Sequence, residues 1–159
     1  MTAAVLTVSD SATRGDREDL SGPATAELLR SRGFEVTSMR VVADERPDIE
    51  AALLELSEQA QLVVTTGGTG IAGRDVTPEA TRAVSERLIE GIPEKIRADG
   101  LAKTPFSVLS RAVCGVRGQT LILNLPGNPK GAVESLQSVI EILPHAIDLL
   151  AGKTGHGER

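Results

Sequence analysis

Three short runs rich in aliphatic and β-branched residues, Ala3–Val8, Phe34–Val42 and Leu62–Thr66, are each followed by a polar loop and then by a stretch of helical spacing. That alternation constrains the fold more than any other feature. Ala3–Val8 is apolar at nearly every position, as expected of a strand buried on both faces, and strands alternating with helices build a mainly parallel sheet covered on both sides. The expected architecture is a three-layer α/β/α domain with a mostly parallel sheet. Its first helix is expected from Ser21, as N-cap, to Gly33, with Pro23 in the first turn. The second follows Asp44-Glu45-Arg46-Pro47 and carries Ile49, Ala52, Leu53, Leu56 and Ala60 at three- and four-residue spacing. Thr77-Pro78-Glu79 marks another helix start, Pro93 to Lys103 a further short helix, and Pro144 divides the last helical region, Ala132 to Leu150. Arg117-Gly118, between Ala112–Val116 and Thr120–Leu123, predicts a short antiparallel hairpin. A single domain is expected over residues 1–151, with 152–159 as a disordered tail.

Parallel sheets bind ligands outside the carboxyl ends of their strands. Four loops leave strand ends here: Asp10–Leu20, Ala43–Arg46, Gly67–Asp75 and Asn124–Asn128. The topology would gather them on one rim. The segment Thr65-Thr66-Gly67-Gly68-Thr69-Gly70 places glycines and hydroxyls where a strand stops, so the backbone can turn sharply and aim its N–H groups at an anion. It reads as a phosphate cradle. Gly68 to Gly73 also satisfies G-x-G-x-x-G, but the loop follows the third strand and the next helix starts only at Thr77, so a dinucleotide fingerprint fits poorly. Gly152-Lys153-Thr154 resembles the end of a P-loop, yet Ile147 stands where its first glycine belongs.

Two acids stand at these strand ends. Asp75 closes the cradle loop, and Asp44 comes from the neighbouring strand end. A hard cation such as Mg²⁺ is held by one or two carboxylates plus phosphate oxygens, which makes the pair candidate metal and catalytic residues. The plainer alternatives are an ion pair with Arg74 or a helix cap for Asp75, and a cap on the Pro47 helix for Asp44. His145 and His156 have no partner at ligand spacing, and no Ser-His-Asp or Cys-His arrangement is legible.

Composition excludes several classes. Phe34 and Phe106 are the only aromatic residues, too few for base-stacking platforms, and the net charge of −5 gives no general attraction to nucleic acid or anionic lipid. Cys114 is the only cysteine, so neither an internal disulfide nor a thiolate-rich metal site is available, and a small buried apolar residue is expected there. The N-terminus lacks the basic start and long apolar stretch of a signal peptide, and a cytoplasmic location is expected.

Thr65 to Thr81, read with Asn124-Leu-Pro-Gly-Asn-Pro129, strongly resembles the MogA/MoaB family of molybdenum-cofactor proteins and the related G domain of gephyrin. Ser9-Asp10, Val42-Ala43-Asp44-Glu45, Leu109-Ser110-Arg111 and the Gly118 hairpin match in order, so the likeness covers essentially the whole chain. The resemblance implies a molybdopterin-binding-like α/β/α subunit, a homotrimer, that adenylylates molybdopterin with Mg-ATP and releases pyrophosphate. A partner protein then inserts molybdate. It implies that Asp44 and Asp75 are the essential acids, acting through Mg²⁺, and that Thr66, Gly67, Gly68, Thr69 and Gly70 belong to the ligand loop. Asp10 and Ser110 match cleft positions, and Asn124, Pro126, Gly127 and Asn128 match a second binding loop. The rival readings are a molybdopterin-binding or scaffold homologue without catalysis, and a nucleotide-hydrolysing domain like that of competence-damage proteins.

Overall fold

A computed structural model describes residues 1–155. In chain order its elements are β1 (Thr2–Val8), α1 (Asp10–Arg14), α2 (Ser21–Ser31), β2 (Glu35–Val42), α3 (Arg46–Gln59) and β3 (Leu62–Thr66). They continue with α4 (Thr77–Val84), β4 (Arg87–Leu88), α5 (Gly91–Gly100), a 3₁₀ turn (Pro105–Leu109), β5 (Cys114–Arg117), β6 (Thr120–Leu125), α6 (Pro129–Val139) and α7 (Leu143–Leu150). The strands form one sheet in the order β2-β1-β3-β6-β5-β4. The first four are mutually parallel, and the β4–β5 and β5–β6 pairs are antiparallel.

Alternation along each strand divides the core between two layers. Ala3 and Val5 of β1, Leu62 and Val64 of β3, and Leu121, Leu123 and Leu125 of β6 pack with Ala26, Leu29, Ile96, Leu136 and Ile147 from α2, α5, α6 and α7. The opposite parity, Ala4, Leu6, Val63 and Ile122, packs with Ile49, Leu53, Leu56, Ala80 and Val84 from α3 and α4. Each fully buried leucine contributes about 1.5–3 kcal/mol relative to exposure, so both layers anchor the strand ends firmly. Cys114 is in the first layer, where burial pushes its thiol up to about 12.

The chain runs from β1 outward to β2, then returns to the other side of β1 as β3, so the strand order reverses between β1 and β3. A crevice opens outside the strand ends at such a switch point. The expected three-layer class and hairpin match the structure, while several local details differ. Asp10–Leu20 reads from sequence as all loop, but its first part is α1, capped by the Ser9 hydroxyl on the Ala12 amide and ended by Gly15 at φ 79°. Ser21 is not the cap of α2. Leu20 holds that position without a side-chain cap, the Asp19 carboxylate before it accepts from the Gly22 amide at 3.0 Å, and the Ser21 hydroxyl faces the Thr66 hydroxyl at 2.9 Å. Thr77 likewise is the first residue of α4, and its hydroxyl donates to the Gly67 carbonyl at 2.9 Å. At the C-terminus, the Lys153 amide donates to the Asp148 carbonyl at 2.9 Å. The remaining tail residues, 156–159 with His156, lie outside the described residues.

Candidate active site

The crevice at the switch point is an open cleft of about 630 Å³, lined by the β1 end and α1, the β3 end and the Gly127–Pro129 turn. Its floor is Thr66-Gly67-Gly68. Gly67 and Gly68 adopt φ 97° and φ 68°, a left-handed pair that strongly favours glycine. The carbonyls of this loop are all engaged. Gly67 O accepts from Thr77 Oγ1, Gly68 O from the Thr77 amide, Thr69 O from the Arg111 amide and Gly70 O from Arg111 Nε. The amides of Gly68, Thr69 and Gly70 find no acceptor among the described residues. Carbonyls tied back and amides left over make an anion cradle.

Acidic groups from three strand ends converge beside the cradle. Asp10 and Asp44 clamp each other: the Asp10 amide donates to Asp44 Oδ2 and the Asp44 amide to Asp10 Oδ1, both at 2.9 Å. That exchange locks the β1 and β2 ends together. Arg74 caps the pair from above, forking onto Asp10 at 2.7 and 3.0 Å and reaching Glu45 at 3.0 Å. The Arg74 guanidinium therefore holds the Asp10 carboxyl below its ordinary range. Asp44 moves the other way, because partial burial raises it and the nearby Asp10 and Asp75 charges add to the rise. Asp75 folds its Oδ2 back onto the Ala72 amide at 3.0 Å and lines the same cleft.

The three plainer alternatives are thereby corrected: Asp75 does not cap α4, whose N-cap residue is Val76 and has no side-chain cap bond. Arg74 pairs with Asp10 and Glu45 rather than with Asp75, and Asp44 receives the first amide of α1 rather than capping α3, whose N-cap residue is Glu45. Among the described residues, no three His, Cys, Asp or Glu side chains gather as a ready-made metal cage. The donor set is one that takes part of its coordination from elsewhere. Asp10 is committed to Arg74, while Asp44 Oδ1 and Asp75 Oδ1 carry no hydrogen bond among the described residues.

Residues 4–145 match the family described as "Probable molybdopterin binding domain". The chain belongs to this family. It is 43% identical over 152 residues to the molybdopterin adenylyltransferase of Helicobacter pylori, covering 93% of this chain and 86% of that protein. The molybdopterin adenylyltransferase of Escherichia coli K12 is 41% identical over 165 residues, covering 93% and 84%. The crystal structure of the molybdopterin biosynthesis enzyme MoaB from Thermus thermophilus superposes with a TM-score of 0.88 at 50% identity, covering 95% of this chain and 96% of that one.

In this molybdopterin-binding domain the residues singled out from sequence divide into two groups. Asp10, Asp44, Thr66, Gly67, Gly68, Asp75, Gly127 and Asn128 line the one cleft. Thr69, Gly70, Ser110, Asn124 and Pro126 do not. Asn124 is fully buried, accepting from the Val113 amide and donating to the Thr65 and Thr81 hydroxyls at 3.1 and 2.9 Å, so it braces β6 against β3 and α4. The Ser110 hydroxyl accepts from the Ala112 amide at 3.3 Å, and Pro126 lies under Gly131 of α6. The structure adds residues that were not singled out: Arg17 and Asp19 in the cleft wall, and Arg111 behind the cradle. Asp19 had a signal in hindsight, three residues ahead of Gly22 at a helix start.

The crowded charge at Asp44 has a measurable consequence. A carboxyl raised by folding binds more protons folded than unfolded, so its contribution to stability is lost as pH rises from 3.8 through its folded value. Asp44→Asn keeps an acceptor for the Asp10 amide and removes that charge. In metal-free buffer near about pH 7 the variant is expected to be more stable than wild type, by under about 1 kcal/mol because the site is half exposed. The gain should vanish below pH 3.8. Urea midpoints at the two pH values check this, and a gain that is larger in acid would contradict the electrostatic picture.

Proposed function

We propose that this chain is a molybdopterin adenylyltransferase that converts molybdopterin and ATP to adenylyl-molybdopterin and pyrophosphate. The observation that carries the reading is the convergence of Asp44 and Asp75 on a cradle whose amides are free, at the sheet's switch point. Family membership and the names of the bacterial relatives support it.

The chemistry asks little of a general base. A terminal phosphate oxygen of molybdopterin attacks the α-phosphorus of ATP, the bond to the bridging oxygen breaks, and pyrophosphate leaves. The nucleophile is already anionic, so alignment and charge stabilisation carry the rate. The Gly68 amide, in the cleft lining, donates to a phosphate oxygen, the unpaired Thr69 and Gly70 amides behind it add to the positive potential of the loop, and Asn128 lines the same cleft. Asp44 and Asp75 suit Mg²⁺, because each offers a carboxylate oxygen without a protein partner and such an ion completes its shell with phosphate oxygens and water. When bound, the ion supplies charge neutralisation at the leaving group. With so few aromatic side chains, the pterin is held by hydrogen bonds and aliphatic walls.

The same reading makes the protein a cytoplasmic homotrimer that passes its product to a molybdate-inserting partner. Among the described residues, no helix is long and apolar enough to cross a membrane.

Incubation with molybdopterin and Mg-ATP is expected to release pyrophosphate, and chelation of the metal is expected to suppress that release. Molybdopterin binding without pyrophosphate would instead identify a non-catalytic carrier. Cleavage of ADP-ribose-type nucleotides, indifferent to molybdopterin, would assign the chain to hydrolysis.

A further inference from the structure

Arg111 makes more contacts with the cradle loop than any acid of the site, yet it does not line the cleft. Its amide donates to Thr69 O at 2.9 Å, Nε to Gly70 O at 2.7 Å and Nη2 to Asp75 O at 2.6 Å. Nη1 forks onto both oxygens of Glu79 at 2.7 and 3.0 Å. One planar group thus grips the loop at Gly70 and at Asp75, the two ends of the segment that aims the Asp75 carboxylate. Glu79, on the first turn of α4, neutralises the guanidinium and fixes its plane. A cation spent in this way is unsuited to holding substrate phosphate. Its effect is transmitted through the backbone it fastens.

We infer that Arg111, oriented by Glu79, is a positioning residue that sets the Asp75 carboxylate and the cradle amides for adenylyl transfer. This rests on the functional reading above. The Gly70–Asp75 segment is exposed for most of its length and has few internal hydrogen bonds: the Asp75 amide to Ala72 O and the Ala72 amide to Asp75 Oδ2, both at 3.0 Å. Besides Arg111, the turn is tied to its surroundings by the exposed Arg74 side chain, which reaches Asp10 and Glu45, whereas Arg111 holds the backbone itself at Gly70 and Asp75. Lysine cannot replace the brace, since a single ammonium lacks the planar fork that reaches Gly70, Asp75 and Glu79 together.

The test compares wild type, Arg111→Lys and Glu79→Gln by steady-state kinetics and by amide hydrogen exchange. Arg111→Lys is expected to lose about a hundredfold in kcat, the scale of a small misplacement of reacting groups, with KM for ATP little changed. The Ala72 amide should exchange faster, while β1 amides keep wild-type protection. Glu79→Gln should show a weaker loss of the same pattern, and it carries the test if Arg111→Lys does not fold. Wild-type kcat with unchanged Ala72 exchange in either folded variant would overturn the assignment. So would faster exchange of β1 and Ala72 together, which marks a general stabilising contact. If wild type itself releases no pyrophosphate, the functional reading fails, and the exchange data still decide whether Arg111 fixes the loop.

Discussion

Asp75→Asn is expected to lower adenylyl transfer by about a thousandfold or more while leaving the fold intact. The substitution is nearly isosteric, and the new amide oxygen can still accept from the Ala72 amide, so the turn has no reason to open. What disappears is the negative charge beside the cradle. Asp44→Ala is expected to match that loss of activity. It also deletes the acceptor of the Asp10 amide, which adds a destabilisation of about 1 kcal/mol. Pyrophosphate release measures the first effect, and circular dichroism with urea unfolding measures the second. Turnover near the wild-type rate in either variant would remove the two acids from the chemistry. The double variant is informative as well: two acids that hold one ion should give a combined loss far smaller than the product of the single losses.

Those acids could be read from the sequence for a physical reason. Asp44 stands just beyond the end of β2, and Asp75 closes the loop that leaves the buried β3, so both belong to the rim outside the carboxyl ends of a parallel sheet, where ligands bind. The glycine loop was legible because consecutive left-handed positions demand glycine. Elements defined by pairing rather than by pattern were not legible. β4 has only the exposed residues Arg87 and Leu88, and it exists through its ladder with Val116 and Gly115. α1 buries none of its residues, so no apolar period betrays it. Arg111 is 41 positions from the Gly70 carbonyl it holds, and nothing in the neighbouring residues announces that contact. Asn124 shows the opposite limit. Its place in a motif says that it matters, whereas only the packing shows its amide bracing β6 against β3 and α4, away from the cleft.

Gly67→Ala is expected to destabilise the protein by about 3 kcal/mol or more, the largest stability effect of any glycine substitution in the loop. Gly67 holds φ 97°, and a Cβ there would overlap the carbonyl oxygen of Val8 at the end of β1. No side chain can swing aside, because the obstacle is backbone. Gly127 presses from the other side, where a Cβ would stand 3.2 Å from Gly67 Cα, and the Gly67 amide is tied to Leu125 O at 3.0 Å. Relief would require β1 and β3 to part where the cleft begins, so the cradle and the Asp10–Asp44 clamp would be lost with it. Gly118→Ala separates conformational strain from this clash. It has φ 57° but open space around it, and about 1–2 kcal/mol is expected there. Urea unfolding of the two variants side by side gives the comparison. Equal losses would mean that the loop yields freely around Gly67, and a loop that yields cannot hold its amides in place for phosphate before the substrate arrives.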